Sequence, residues 1–181
     1  SHISIFYKMP GIKIYSPMTN KEYKEVYKNF MKKKDVFYVS EHRASYSNKH
    51  EFKNYLSKKL DIILMPISVT RFSAERAKLI LEKKGFKVGI IHLINLKPFE
   101  IKSAWVKAIK SSKFGVLMTD NDYEDGILRI LAHKINEKTN KQIRVLGLKN
   151  RTAGHHSSVD NLPPNEFEIT KKVISIVKSF K

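Results

Sequence analysis

The sequence has 181 residues, of which 41% are hydrophobic and 29% are charged, and it carries a formal net charge of +18. This composition excludes a disordered or fibrous chain and predicts one generous domain, or one domain with a fragment of a second. The absence of cysteine excludes disulfides, thiolate metal sites and cysteine nucleophiles. Since no apolar run reaches the length of a membrane helix, we expect a cytoplasmic protein with no membrane partner.

The positive charge raises the question of a polyanionic partner. Thirty-five Lys and Arg residues stand against seventeen Asp and Glu residues, and clustered cations gain affinity for nucleic acid by releasing its counterions. The basic residues are mostly lysines in short, dispersed groups such as Lys32 to Lys34, Lys83-Lys84 and Lys171-Lys172. This dispersal favours a solvated surface over nucleic-acid binding. A basic polyanion-binding module remains an alternative function.

The first quarter of the chain predicts two strands around one helix. Gly11 to Ser16 alternates like a strand, and Val36 to Ser40 forms the next. Between them, apolar residues at helical spacing predict a helix from about Thr19 to Lys33. Thr19 and Glu22 at its start have the spacing of a capping box. The polar stretch from Glu41 to Ser57 has no sustained apolar period, so we interpret it as a linker or an extended crossover.

From Asp61 onward strands and helices alternate regularly. The predicted strands are the apolar runs "DIILMPI", "FKVGIIHL", "FGVLMT" and "QIRVLGL". Helices are predicted from about Thr70 to Lys84, from Pro98 past Ile109, after the acidic "DNDYEDG", and from about Asn165 to Phe180. The acidic segment itself is interpreted as a turn. Alternation of this kind predicts a three-layer α/β fold, with a mostly parallel sheet covered by helices on both faces.

The order of these elements resembles a known family. The segment "DIILMPISVTRFSAERAKLILEKKGFKVGIIHLINLKPFE" resembles the opening of the transketolase C-terminal domain, and "FGVLMTDNDYEDGILRILAHKI" resembles its later strand, acidic turn and helix. Upstream, "PGIKIYSP" and "VFYVSEH" are similar to the last third of the pyrimidine-binding domain. Their style is that of the beta subunit of thiamine-diphosphate-dependent 2-oxo-acid dehydrogenases. The resemblance divides the chain into a pyrimidine-domain remnant (1–44), a linker (45–58) and a transketolase C-terminal-like domain (59–181).

The resemblance also implies a function. Full-length relatives bind thiamine diphosphate and Mg, but the domains that hold the cofactor are not in this sequence. A Gly-rich phosphate loop, a Gly-Asp-Gly metal signature and a supported Ser-His-Asp set are likewise missing. We therefore expect this chain alone to be inactive and to bind no cofactor or metal.

The same resemblance implies an assembly role. The chain would form a homodimer through its C-terminal domain, wall the substrate channel and meet an alpha subunit or the missing N-terminal domains. A lipoyl acyltransferase is a further implied partner. A transketolase or deoxyxylulose-phosphate synthase relative is the alternative enzyme.

Five residues are candidates for the substrate channel or a subunit interface. Glu41, His42 and Arg43 follow a predicted strand, and a structural role at the domain junction is the competing interpretation. His155 and His156 follow the last strand in a polar segment, where open α/β sheets bind ligands, although a plain surface loop explains them too. Two further residues have bland interpretations, since His92 and Trp105 lie in apolar patterns typical of a core.

Overall fold

The computed structural model describes residues 2–152, 156 and 160–180. The helices are α1 (Ile3–Tyr7), α2 (Asn20–Lys32), α3 (Thr70–Lys83), α4 (Ser103–Ser111), α5 (Ile127–Thr139) and α6 (Glu166–Lys178). The strands are β1 (Ile12–Tyr15), β2 (Val36–Val39), β3 (Ile62–Pro66), β4 (Val88–Ile90), β5 (Asn95–Lys97), β6 (Val116–Tyr123) and β7 (Ile143–Leu148). A 3-10 turn lies at Arg43–Ser45.

The larger sheet has four parallel strands in the order β4-β3-β6-β7. Successive side chains of a strand point to opposite faces, so a continuous apolar run fits a strand buried on both sides. In β3, Ile62 and Leu64 pack with α3 and α6, while Ile63 and Met65 pack with α4 and α5. The predicted three-layer, mostly parallel α/β fold is therefore confirmed.

A second sheet joins the first part of the chain to the rest. Its order is β2-β1-β5, with β1 parallel to β2 and antiparallel to β5. Strand β5 comes from the "INLK" of the later segment, directly after Leu93, which is still bridged to Ile67 beside the large sheet. Ile14 of β1 and Met65 of β3 belong to one apolar core. The division at 1–44, 45–58 and 59–181 stays a prediction.

Local structure differs from the sequence interpretation at two places in particular. The "DNDYEDG" turn is wrong over its first half, because β6 continues to Tyr123 with Asp120 and Asp122 buried inside the protein. The strand continues because a partner exists for Asp122: Ser4 of α1, a helix that the sequence did not predict, donates to it. In "FKVGIIHL" the strand β4 is only three residues long, although Ile91 and Leu93 still donate to the backbone oxygens of Leu64 and Pro66 in β3.

Candidate functional site

The strand order creates a topological switch point. The chain leaves β3 through α3 to reach β4 on one side, whereas β6 lies on the other side of β3. In open α/β sheets, ligands bind outside the carboxyl ends of strands at such a point. A cleft of about 660 Å³ opens there. It is lined by residues from α2, β2 and β6 and from the segments that follow β2 and β3, among them Tyr27, Tyr38, Glu41, His42, Ser68 and Asn121.

A buried carboxyl group belongs to the residue next to Asn121, which lines the switch-point cleft. Asp120 directly precedes Asn121 in β6 and is fully buried. Its Oδ1 accepts a hydrogen bond of 2.7 Å from the Asn121 backbone N–H, but Oδ2 has no partner among the described residues. Burial raises the pKa of Asp120 to about 7, because desolvation penalises the charged form, and the nearby Asp122 adds to this. Asp120 is therefore close to half protonated at neutral pH.

Asp122, unlike Asp120, has hydrogen-bond donors for both of its carboxylate oxygens. Its Oδ2 accepts hydrogen bonds from the Ser4 hydroxyl (2.7 Å) and the Ser4 backbone N–H (3.2 Å). Its Oδ1 accepts a bond of 2.8 Å from the Tyr123 N–H. Three donors compensate the burial of this carboxylate, which is what a buried charge requires. Asp120, two residues earlier, has one donor.

The wall of the switch-point cleft is fixed by hydrogen bonds of Glu41 and His42. The Glu41 carboxylate accepts from the hydroxyls of Tyr27 (2.6 Å) and Tyr46 (3.3 Å). The bond to Glu41 raises the pKa of Tyr27 to about 12, so the phenol stays protonated. Nδ1 of His42 accepts the backbone N–H of Ala44 at 3.1 Å, and partial burial lowers the pKa of His42. The imidazole is therefore neutral near pH 7, with its proton on Nε2.

The structure brings together only some of the five candidate residues from the sequence. Glu41 and His42 line the switch-point cleft together. Arg43 begins the 3-10 turn beside it, is exposed, and is not part of the lining. His156 is exposed and outside the lining, and His155 falls outside the described residues.

The sequence did not lead us to Asn121 and Ser68, which line this cleft, or to the adjacent Asp120. Asp120 and Asn121 were assigned to a turn and Ser68 was passed over, although each follows an apolar run where a parallel strand ends. That position was the available signal. Conversely, His92 is buried as expected, but neither of its ring nitrogens has a hydrogen-bond partner among the described residues. Trp105 is only partly buried against the core.

The switch-point cleft offers several polar binding groups. Hydroxyl, amide, imidazole and carboxylate groups converge there, which suits a polar ligand. No hydrogen bond between described residues joins Ser68 to His42, so the structure does not present an activated serine. In the part of the chain that the structure describes, no three His, Asp or Glu residues are arranged to hold a metal ion. Within the same residues, no helix is long and apolar enough to span a membrane.

Comparison with known proteins identifies the fold. No family model matches the chain. The beta subunit of the pyruvate dehydrogenase E1 component from Mesostigma viride is 26% identical over 143 residues, which cover 73% of this chain and 43% of that protein. A split-gene transketolase, described as an inactive β4 tetramer, superposes with a TM-score of 0.77 at 14% identity, over 97% of this chain and 60% of that one. The chain has a transketolase-like C-terminal fold.

Other solved structures are also similar to this chain in fold. Transketolase from Pichia stipitis, in complex with sedoheptulose 7-phosphate, gives a TM-score of 0.69 at 14% identity, over 98% of this chain and 27% of that one. The 2-oxoglutarate:ferredoxin oxidoreductase from Magnetococcus marinus gives 0.51 at 15% identity, over 68% and 19%. The resemblance inferred from the sequence is confirmed. The chain spans less than half of the curated relative and 60% of the split-gene transketolase.

Proposed function

We propose that this chain is the C-terminal part of a thiamine-diphosphate-dependent enzyme of the 2-oxo-acid dehydrogenase beta-subunit type. Its role is assembly and the walling of a substrate channel, while cofactor binding and catalysis need further polypeptide. The observation that carries the proposal is the partial match to a pyruvate dehydrogenase beta subunit, over 73% of this chain but 43% of that protein. The transketolase-like fold, which covers nearly the whole chain, supports it.

An open sheet edge supports the assembly role. Strand β2 is an edge strand of the three-stranded sheet, and its first residue, Val36, is 62% exposed. Phe30 and Met31 of α2 lie close by in the sequence and are also exposed, Met31 at 80%. The Phe30 ring packs edge-on against Phe37 of β2, so the helix and the strand form one surface. An exposed edge with apolar side chains is a surface for pairing with another chain segment.

We propose that this edge surface receives the further polypeptide, either an N-terminal segment of the same protein or an alpha subunit. Glu41 and His42 would then face the substrate channel from the switch-point cleft. Arg43, His155 and His156 would lie at its rim or at a subunit interface. A homodimer forms through the C-terminal domain, and docking of a lipoyl acyltransferase is a further proposal. Thiamine diphosphate and Mg belong to the complete enzyme.

The test is an activity assay of the chain joined to its N-terminal polypeptide, with and without an added alpha subunit. With thiamine diphosphate and Mg, pyruvate alone should be decarboxylated, and a sugar phosphate acceptor should add nothing. Turnover that requires the acceptor would indicate a transketolase or deoxyxylulose-phosphate synthase relative. No thiamine-diphosphate-dependent turnover with either substrate would overturn the proposal. Binding of the cofactor by this chain alone would contradict the division of roles.

A further inference from the structure

A second cleft lies apart from the switch point. It has a volume of about 540 Å³, inside the range of small-molecule sites, roughly 300–1,000 Å³. One wall is the side of α2 that carries Glu25 and Asn29, together with Lys33 just after the helix. The other wall is the segment from His92 to Trp105, which includes the connection from β5 to α4. Neither the catalysis nor the assembly role proposed above uses this helix-flanked cleft.

The floor of the helix-flanked cleft holds a polar group without a hydrogen-bond partner. The side chain of His92 is 2% exposed and lines the cleft, yet neither ring nitrogen is hydrogen-bonded among the described residues. Nε2 lies 3.6 Å from Oε1 of Glu75, and the ring centroid lies 4.8 Å from that of Phe52. Burial lowers the pKa of His92, so the ring is neutral.

The tautomer of His92 decides which ligand group it needs. The carboxylate of Glu75 favours a proton on Nε2, which leaves Nδ1 with a lone pair and no donor. A buried acceptor without a donor is costly, so it indicates a donor that the protein itself does not supply. Asn54, which also lines the cleft, fixes this corner by accepting the His92 backbone N–H at 2.8 Å.

Four charged residues that line the helix-flanked cleft, two acidic and two basic, form no ion pair with another described residue. Glu25 lies on α2 and Lys33 directly follows that helix, while Glu100 and Lys102 lie on the facing segment. Lys102 lies 5.5 Å from the Trp105 ring centroid. Glu25 and Lys33 are about two helical turns apart, roughly 12 Å along the axis. Glu100 and Lys102 are only two residues apart, so they suit the two charged groups of one small molecule.

The other charged residues of the lining are already engaged. Glu22 binds Arg71 through both carboxylate oxygens, and Lys13 binds Asp35. The charges left for a ligand are therefore balanced, with one carboxylate and one ammonium on each wall. A purely anionic or purely cationic ligand would meet as much repulsion as attraction. A ligand that carries both charges would satisfy them.

The remaining lining includes an apolar part beside its asparagines. Val26 contributes from α2, and Pro98 and the partly buried Trp105 contribute from the facing segment. Such a wall favours an aliphatic or aromatic group in contact with the indole. Trp105 is the single tryptophan of the sequence, so it also reports on this cleft alone.

We propose that the helix-flanked cleft binds a small zwitterion with an apolar side chain, of the class of the free apolar α-amino acids. Its ammonium group donates to Nδ1 of His92 and pairs with Glu100, and its carboxylate pairs with Lys102. Its side chain packs against Trp105 and Pro98. This site is independent of the switch-point cleft and does not require the chain to be part of a thiamine-diphosphate enzyme.

The test uses L-leucine, L-methionine and L-phenylalanine as probes on the whole chain. At least one of them should change Trp105 fluorescence saturably and give matching heat in calorimetry. We expect saturation at ligand concentrations below about 10 mM, since a weak complex has a dissociation constant of roughly 1 mM. N-acetyl-L-leucine lacks the ammonium and L-leucinamide lacks the carboxylate, so both should bind at least tenfold more weakly than L-leucine. No saturable binding of any probe, or equal binding of the blocked analogues, would overturn the proposal.

Variants assign the contacts. His92→Phe keeps a ring against Phe52 and removes the acceptor, and binding should fall at least tenfold. Should this variant fail to fold by circular dichroism, Glu100→Gln and Lys102→Met on the exposed rim decide, and each should weaken binding. Lys110→Met is the matched control for Lys102→Met. Lys110 lies in α4 but does not line the cleft, so this variant should bind like the wild type. Wild-type affinity in both rim variants would contradict the proposed contacts.

Discussion

The buried position of Asp120 is electrostatically unfavourable for its charged form. Its carboxyl is fully buried, has one backbone donor and leaves one oxygen without a partner among the described residues. In the unfolded chain the same group would have an ordinary pKa near 3.9. Burial raises the folded-state pKa to about 7, so the folded protein holds this proton more tightly than the unfolded chain does. Folding stability must therefore depend on pH through this group.

We predict that stability falls as the pH rises from about 4 to about 7, and then levels off. In that window the folded state binds more protons than the unfolded state, so the slope is negative. A shift of about three pKa units makes the loss on the order of 3 kcal/mol. Asp120→Asn, which resembles the protonated carboxyl, should remove most of this dependence and be the more stable protein above neutrality.

Urea unfolding at several pH values checks this prediction. The matched control is Asp125→Asn, three quarters exposed in the same segment, which should leave the pH dependence of the wild type unchanged. Parallel curves for the wild type and Asp120→Asn would contradict the prediction, because they would show that the pKa of Asp120 is the same in the folded and unfolded states. Composition alone could not reveal this residue, because an acidic segment predicts a solvated turn until the partner helix α1 is known.

At the scale of elements, the junction between α2 and α3 rests on one buried ion pair. Arg71 at the start of α3 donates to both carboxylate oxygens of Glu22, at 2.7 and 2.5 Å. Neither residue is more than 8% exposed. Glu22 also accepts the backbone N–H of Met18 at 2.8 Å, which ties the pair to the N-terminus of α2. The Phe52 ring lies 4.3 Å from the Arg71 guanidinium and covers it.

We predict strong coupling between Glu22 and Arg71. Arg71→Met or Glu22→Gln leaves its partner buried without a full counter-charge and should cost about 3–5 kcal/mol. The double variant should cost much less than the sum of the two. A double-mutant cycle by chemical denaturation measures the coupling. Additive single and double variants would contradict it.

The control for this cycle is the exposed pair of Arg76 and Glu166. Its shortest contact is 3.1 Å, but Arg76 is 54% exposed, so solvent and salt screen the attraction. Arg76→Met should cost less than about 1 kcal/mol.

A glycine fixes the entry into β6. Gly115 has φ +79, and a Cβ there would come within 2.2 Å of the backbone oxygen of Gln142. Gly115→Ala therefore combines backbone strain with a clash against the neighbouring strand, and we expect a loss of about 3 kcal/mol or more. Gly85 has a similar φ of +86 with nothing within 4 Å of its Cβ position. Gly85→Ala should cost only the strain, about 1–2 kcal/mol, and thermal unfolding of both variants compares the two.

The elements that the sequence predicted well are those whose burial is local and two-sided. The apolar run of β3 and the capped start of α2 needed no tertiary information, and the Thr19 hydroxyl does accept the Glu22 N–H at 3.3 Å. Strand β5 could not be predicted, because its pairing with β1 joins segments some eighty residues apart. Likewise, the open nitrogens of His92 appear only after Glu75 and Phe52 are placed around it.

On the scale of the whole molecule, the two sheets share one apolar core while the surface carries most of the charge. The lysines are dispersed, as in the exposed Lys34, Lys84 and Lys171. Such a surface keeps a protein in solution but destabilises the compact state through repulsion between like charges. Added salt screens this repulsion, since the Debye length falls from about 30 Å at 0.01 M to about 10 Å at 0.1 M.

We predict that the melting temperature rises by several degrees as sodium chloride increases from about 0.01 M to 0.5 M. Changing Lys34, Lys84 and Lys171 together to Glu should raise the melting temperature at low salt and flatten its salt dependence. The same lysines changed to Arg keep the charge and should behave like the wild type. A cluster that binds nucleic acid would instead show itself by a larger stabilisation from short duplex DNA at low salt, lost steeply as salt increases. If the charge is dispersed, the melting temperature of the Arg variant should depend on salt as that of the wild type does, and DNA should stabilise neither protein.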